Sequence, residues 1–144
     1  MADADNSGFP DLTKAAKGNY IRLKDDAATK CAQMCVNLIA ELDSAIKDAD
    51  TLAVVNGFGN LPNAEALAKR YSDLAGAGKD GGDSSLKHAL TRHRAVVSDM
   101  KDTFVAAGRA YIENEDATSG AISKAVADYE SAISGLKPQP PSQW

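Results

Sequence analysis

Residues 86–111 read LKHALTRHRAVVSDMKDTFVAAGRAY. A stripe of mostly apolar side chains recurs in this stretch at alternating steps of four and three residues. This is the heptad spacing of a helix that packs lengthwise against another helix. We expect Leu90, Val97, Met100 and Phe104 to form the interface, and His93 to be a core or interface residue, not a ligand. The whole stripe consists of Leu86, Leu90, His93, Val97, Met100, Phe104, Ala107 and Tyr111.

The same pattern continues more weakly towards the end of the chain. It runs through residues 118–133 and contains Gly120, and Gly135 is expected to end the helix. The sequence therefore predicts a C-terminal helical extension over 118–135. Residues 137–144 are rich in proline and predict an extended tail.

Upstream of the stripe, a first helix is expected to begin near Asp11, which suits an N-cap, and to end near Val55. Gly18 is a weak point in it. Residues 56–60 read NGFGN, a dense turn sequence, and Pro62 suits the first turn of the next helix. Two amphipathic helices joined by a short turn form a helical hairpin.

The predicted fold is therefore all-α, a long antiparallel helical hairpin that forms one domain over residues 1–136 with a polar N-terminal leader. A glycine-rich break at 76–83 interrupts the second arm. Residues 76–83 lack the Gly-x-x-x-x-Gly-Lys-Ser/Thr spacing of a phosphate-binding loop. We therefore interpret this glycine-rich segment as a flexible loop. Two helices cannot enclose a core, so the hairpin should leave apolar surface on its open side. We expect this surface to pair with a second copy or another helical hairpin, or to be covered by the chain's own residues 118–135.

Composition excludes several classes of function. The 144 residues carry a net charge of −4 without a basic run, which argues against nucleic-acid binding. No apolar stretch reaches the ~20 residues of a membrane-spanning helix. The N-terminus is acidic and polar, so it does not resemble a Sec signal peptide.

The side chains that could form a catalytic or metal-binding site are scattered along the sequence. His88 and His93 are five positions apart and face different directions on a helix. We recognise no catalytic, metal-binding or cofactor-binding motif, and we expect a protein that is not an enzyme. Cys31 and Cys35 lie one helical turn apart; we expect two reduced, buried thiols, the alternative being a reversible redox pair.

Two segments resemble a known family. Residues 105–122 read VAAGRAYIENEDATSGAI, and residues 57–71 read GFGNLPNAEALAKRY. The first resembles the end of the second helix in actinobacterial type VII (ESX) secretion-associated proteins, in the excreted virulence factor C-like branch of the WxG superfamily. The second resembles the inter-helix turn of these proteins, here Gly57, Phe58 and Gly59.

The resemblance implies that Tyr111 and Glu115 match the family's Tyr-x-x-x-Asp/Glu export signal. On a continuous helix these two residues lie on one face, as an aromatic anchor beside a charge. The alternative is that Tyr111 only ends the stripe and Glu115 is its solvated neighbour. The turn departs from the strict WxG pattern, because its aromatic residue is Phe58 and Asn60 takes the glycine position.

The resemblance further implies a type VII substrate or secretion-associated protein that acts through protein–protein binding. Its partners would be the type VII machinery and another helical-hairpin protein, or a second copy of itself in a dimer. It would be cytoplasmic before export, then secreted or held at the cell surface by a Sec-independent route. The alternative is a cytoplasmic helical adaptor or chaperone that pairs with a larger secreted effector.

Overall fold

The computed structural model describes residues 8–76, 85–115 and 117–141. Every long element in these ranges is an α-helix and no strand occurs in them, so the predicted all-α class is confirmed. The helices are α1 (Phe9–Lys17), α2 (Asp25–Leu52), α3 (Pro62–Ala75), α4 (Leu86–Glu113) and α5 (Ser119–Ser134).

Contacts within the chain divide it into two compact units. The first comprises Met1–Ala40 and Val96–Trp144, and the second comprises Glu41–Ala95. Both α2 and α4 contribute residues to each unit.

In the first unit, the predicted continuous first helix is wrong, because α1 and α2 are separate. The chain turns at Gly18 and at Asn19, whose φ of 63° is left-handed. The main-chain N–H of Leu23 then donates to the carbonyl of Ala107 on α4, at 3.1 Å. Because this N–H bonds to α4, it is not available for a helical hydrogen bond within residues 18–24, which separate the two helices. The helix also begins earlier than predicted, because Gly8 and not Asp11 is its N-cap.

The first unit has a core of small side chains. Ala16 of α1 packs against Ala106 and Ala107 of α4, while Ala28 of α2 packs with Ile112 and Tyr129. None of the large side chains among the described residues is completely buried. Alanine therefore sets the distance between the helices, as the composition suggests.

Helix α5 is held against α4 by polar contacts as well as by packing. The Tyr129 hydroxyl donates to the carbonyl of Val105 at 3.1 Å. Arg109 donates to Glu113 on its own helix at 2.7 Å and to Glu130 on α5 at 2.6 Å. Burial, with a smaller effect from the charge of Asp25, raises the pKa of Tyr129 to about 12. Tyr129 therefore stays a neutral donor at physiological pH.

In the second unit, ion pairs join α2 to α4. Arg94 donates two hydrogen bonds to Asp43, with Nη2 3.2 Å from Oδ2, and Lys87 Nζ lies 2.6 Å from Asp50 Oδ1. Residue numbers rise along α2 as they fall along α4, so the two segments in this unit are antiparallel. The hydrogen bonds from Arg94 hold the pKa of Asp43 below its usual value.

The connection between α2 and α3 occupies residues 53–61, where the turn is predicted. Gly57 and Gly59 have φ values of 93° and 78°, which favour glycine. The Ser72 hydroxyl donates to the carbonyl of Ala53 at 2.7 Å and ties α3 to the chain that leaves α2.

Two other predicted features are only partly described. Gly76 ends α3 with a φ of 120°, and a Cβ added there would lie 2.7 Å from Cβ of Lys87. The remainder of the predicted break at 76–83 lies outside the described residues, as do positions 142–144 of the predicted tail. Residues 136–140 form neither helix nor strand.

Candidate functional site

An apolar groove lies between α2 and α4 in the first unit. Its volume is about 410 Å³, and Asn37 provides its polar edge. Met34 is 68% exposed and Leu38 is 42% exposed, although both belong to the apolar side of an amphipathic helix. Contiguous exposed apolar surface is a feature of protein-binding sites and also of ligand-binding grooves. The other lining residues are Cys31, Cys35, Val97, Met100 and Phe104.

The predicted interface stripe contributes most of its residues to this groove. Val97 is buried in the groove, while Met100 and Phe104 are half-buried there. Leu90 belongs to the second unit and is half-buried. His93 is exposed, so it is not a core residue, and its expected place at an interface stays a prediction. Leu86 is exposed as well, so two residues of the heptad pattern face solvent, because the pattern records position and not the width of the packed face.

The two thiols of the groove are in different environments. Both cysteines are free; Cys35 is buried and Cys31 is half-buried. Burial, with the neighbouring Cys31, raises the pKa of Cys35, and Lys101 opposes this effect. A raised pKa leaves less thiolate at neutral pH, and the thiolate is the nucleophilic form. Cys35 therefore behaves as a packed side chain.

A network of amides borders the groove and was missed by the sequence reasoning. Asn37 is 3% exposed, and its Oδ1 accepts from Gln33 Nε2 at 2.8 Å and from the Gln139 main-chain N–H at 2.9 Å. Gln33 Nε2 also donates to the carbonyl of Lys137 at 2.7 Å. The sequence contains one signal for this network. Gln33 and Asn37 are four residues apart, which places both amides on one face of α2.

The predicted export residues lie at the end of α4. Tyr111 is half-buried in the last turn, whereas Glu115 is exposed and lies beyond Glu113, where the helix ends. The Glu115 N–H donates to the carbonyl of Ile112 at 3.2 Å, which is a tighter turn than an α-helix. Tyr111 and Glu115 are therefore neighbours around a helix terminus and do not share one helical face.

Asn114 explains why the helix ends there. Its side-chain Nδ2 donates to the carbonyl of Ala110 and to Oδ1 of Asn19, each at 2.8 Å. The first bond satisfies a carbonyl near the helix terminus, and the second ties this terminus to the α1–α2 connection.

The predicted inter-helix turn presents an aromatic side chain. Phe58 is 41% exposed and stacks against Tyr71 of α3, with ring centroids 6.1 Å apart. Gly57 and Gly59 on either side have open space around their Cα atoms. The stacking fixes the turn against α3 and leaves part of the Phe58 ring accessible.

Elsewhere in the described ranges, no group of three or more histidine, cysteine or acidic residues is placed to hold a metal ion. None of the helices there combines the length and the apolar character that crossing a membrane requires.

Comparisons of the chain with protein-family models, with curated proteins and with solved structures find no match. The resemblance to type VII secretion-associated proteins therefore depends on the two quoted segments.

Proposed function

We propose that this protein is a substrate or secretion-associated protein of a type VII (ESX) secretion system, folded as a long helical hairpin with a glycine-rich break and a C-terminal helical extension. It acts through protein–protein binding. The observation that carries the binding role is the apolar groove, in which Met34 and Leu38 expose more than two fifths of their surface. The helical fold of the described residues agrees with the same role.

The assignment to type VII secretion depends on Tyr111 and Glu115. Of the chain's four tyrosines, only Tyr111 is followed four residues later by an acidic residue. An aromatic anchor and a nearby carboxylate suit recognition by a docking protein. Their position at the end of α4 keeps this pair separate from the groove, so one surface can bind the secretion machinery and another can bind a partner.

Substitution of the pair tests the proposal. We expect Tyr111→Ala and Glu115→Ala each to lower the amount of protein in culture filtrate relative to cell lysate, in a host with a working type VII system. Tyr20→Ala and Glu41→Ala are matched controls, because Tyr20 is 88% exposed and Glu41 is exposed on α2. Circular dichroism of each purified variant checks that helix content is unchanged.

Two results would contradict the proposal. If both substitutions at 111 and 115 leave export at the wild-type level, the pair is not an export signal. If wild-type protein stays in the lysate, the better account is the cytoplasmic adaptor or chaperone, which would use the same groove to hold a larger effector. In that case, the adaptor should be recovered with the effector from the lysate.

A further inference from the structure

Helix α3 of the second unit packs with its small side chains and exposes its large ones. Leu67, Tyr71 and Leu74 each leave more than two fifths of their surface exposed. Their spacing of four and three residues is that of a helical face which packs against another element. The small residues recur at steps of four, four and three, and all of them are buried or half-buried: Ala64, Ala68, Ser72 and Ala75. Among the described residues, therefore, only the small-residue face of α3 is covered.

The exposed face of α3 continues into the turn that precedes the helix. Phe58 stacks on Tyr71, and Leu61, the N-cap of α3, is 73% exposed. Residues 51–64 contain no charged side chain. The centres of protein interfaces are likewise poor in charge and rich in aromatic residues. We call this surface the α3 patch; it consists of Phe58, Leu61, Leu67, Tyr71 and Leu74.

The α3 patch has the area of a small interface. An aromatic side chain buries about 150–250 Å² when it is fully covered. With exposed fractions between 41% and 73%, the five residues together expose roughly 500 Å². The largest apolar patch of a typical monomer has about this size and often has a function. Two copies joined through it would bury about 1,000 Å² in total, which is near the lower limit for a specific interface.

The charges on α3 suit a second copy of the same helix. The helix carries two acids, Glu65 and Asp73, and two bases, Lys69 and Arg70. Its net charge is therefore zero, whereas the chain as a whole carries −4. Like charges that meet across an interface oppose binding, and two neutral helices avoid this cost. A lipid surface is a poorer match, because α3 lacks the excess of basic residues that attracts anionic headgroups.

The shape of the α3 patch is also self-complementary. A cavity of about 490 Å³ lies at the start of the helix, and Ala64 and Leu67 are among its lining residues. In an antiparallel pair, residue numbers rise along one helix as they fall along the other. If Leu67 of each copy lies opposite Tyr71 of the other, Ala64 lies opposite Leu74, since each is three residues further out. The small Ala64 leaves room for the large, exposed Leu74, as a knob fits a hole in packed helices.

We propose that a second copy of this chain covers the α3 patch, with the two α3 helices antiparallel and Leu74 of each copy in the cavity beside Ala64 of the other. A two-fold axis makes each of these contacts twice, as in most protein dimers. The pairing uses residues of the second unit alone. It does not involve the groove between α2 and α4, and it does not rest on the proposed export role.

Sedimentation velocity of the purified full-length protein at several concentrations tests the proposal. We expect a dimer that dissociates on dilution, because the buried area is small. Leu67→Glu and Leu74→Glu should each raise the dissociation constant at least about tenfold, because each places a charge in the apolar contact. Leu38→Glu in the groove should leave it unchanged, and it is a matched control because Leu38 and Leu67 are both 42% exposed. Circular dichroism checks that each variant keeps its helix content.

Disulfide cross-linking tests the antiparallel arrangement. In a chain that carries Cys31→Ala and Cys35→Ala, we expect an Ala64→Cys variant mixed with a Leu74→Cys variant to form a linked dimer under oxidation by copper phenanthroline in air. Neither variant should form one alone. Ten residues of helix span about 15 Å, so two copies of the same position lie too far apart for a disulfide.

Several results would overturn the proposal. One is a chain that stays monomeric up to its highest soluble concentration. Another is a dimer that is weakened by Leu38→Glu but not by Leu67→Glu, which would place the interface at the groove. Linked dimers of either cysteine variant alone would show a different pairing. Flotation of a monomer with phosphatidylcholine vesicles, lost in Leu67→Glu, would identify a lipid surface as the occupant. All of these measurements use purified protein, so their failure leaves the export role standing.

Discussion

Cys31 and Cys35 show how one turn of helix separates two chemically different thiols. Both side chains line the apolar groove, but Cys35 is buried and Cys31 is only half-buried. Burial raises the pKa of Cys35, so its thiolate is scarce at neutral pH. The expectation of two buried thiols is therefore met for Cys35 alone.

This difference predicts the order in which the thiols react. We expect iodoacetamide to modify Cys31 before Cys35 in the folded protein, because Cys35 is buried and its raised pKa leaves it little thiolate. Mass spectrometry of the alkylated peptides measures the two rates, and Cys31→Ala and Cys35→Ala isolate each thiol. The rates should converge in denaturant. Faster alkylation of Cys35 in the folded protein would contradict the environments described here.

At the scale of the helices, Gly108 lies where α4 comes close to both α2 and α5. A Cβ added there would lie 2.2 Å from the hydroxyl oxygen of Tyr129 and 2.6 Å from Cβ of Ala28. Both distances are shorter than van der Waals contact, so the helices must separate to admit a methyl group. Gly120, in the first turn of α5, has no atom within 4 Å of the same position.

The two glycines predict opposite results of the same substitution. Gly108→Ala should lower the free energy of unfolding by about 1–3 kcal/mol, the usual cost of overpacking. Gly120→Ala should raise it by about 0.4–1 kcal/mol, because alanine restricts the unfolded chain and meets no neighbour. Urea denaturation followed by circular dichroism measures both. A stabilising Gly108→Ala would show that the three helices are not in close contact at Gly108.

Periodicity predicted the long helices well and their interruptions poorly. The heptad stripe of α4 is visible in the sequence because apolar packing repeats along the whole helix. The interruption at 18–24 depends on the hydrogen bond between Leu23 and Ala107, residues far apart in the sequence. The end of α4 similarly depends on Asn114 bonding to Asn19. Contacts of this kind cannot be read from local spacing.

The groove was predicted only in part for the same reason. The stripe residues Val97, Met100 and Phe104 identify one wall of it. The polar edge of the groove depends on the hydrogen bond from the Gln139 main-chain N–H to Asn37. These two residues belong to different segments of the first unit and lie far apart in the sequence. Glu115 was expected on the helical face of Tyr111, but the helix ends two residues too early.

At the scale of the whole molecule, the chain covers some of its apolar surface and leaves the rest open. Tyr129, Val126 and Ile133 of α5 pack around Ala28 and Ile112, which agrees with the expected coverage by residues 118–135. The groove at Met34 and Leu38 remains open among the described residues. This second surface is the one that we propose binds another protein.

The central claim is that this protein binds other proteins as a type VII secretion substrate or secretion-associated protein. Its most direct test is the fraction of wild-type protein in culture filtrate, measured in a host with an intact type VII system and in the same host without the ATPase of that system. A cytoplasmic marker corrects for lysis. We predict that the protein reaches the filtrate only when the ATPase is present. Equal amounts in both filtrates, or retention in both lysates, would contradict the claim.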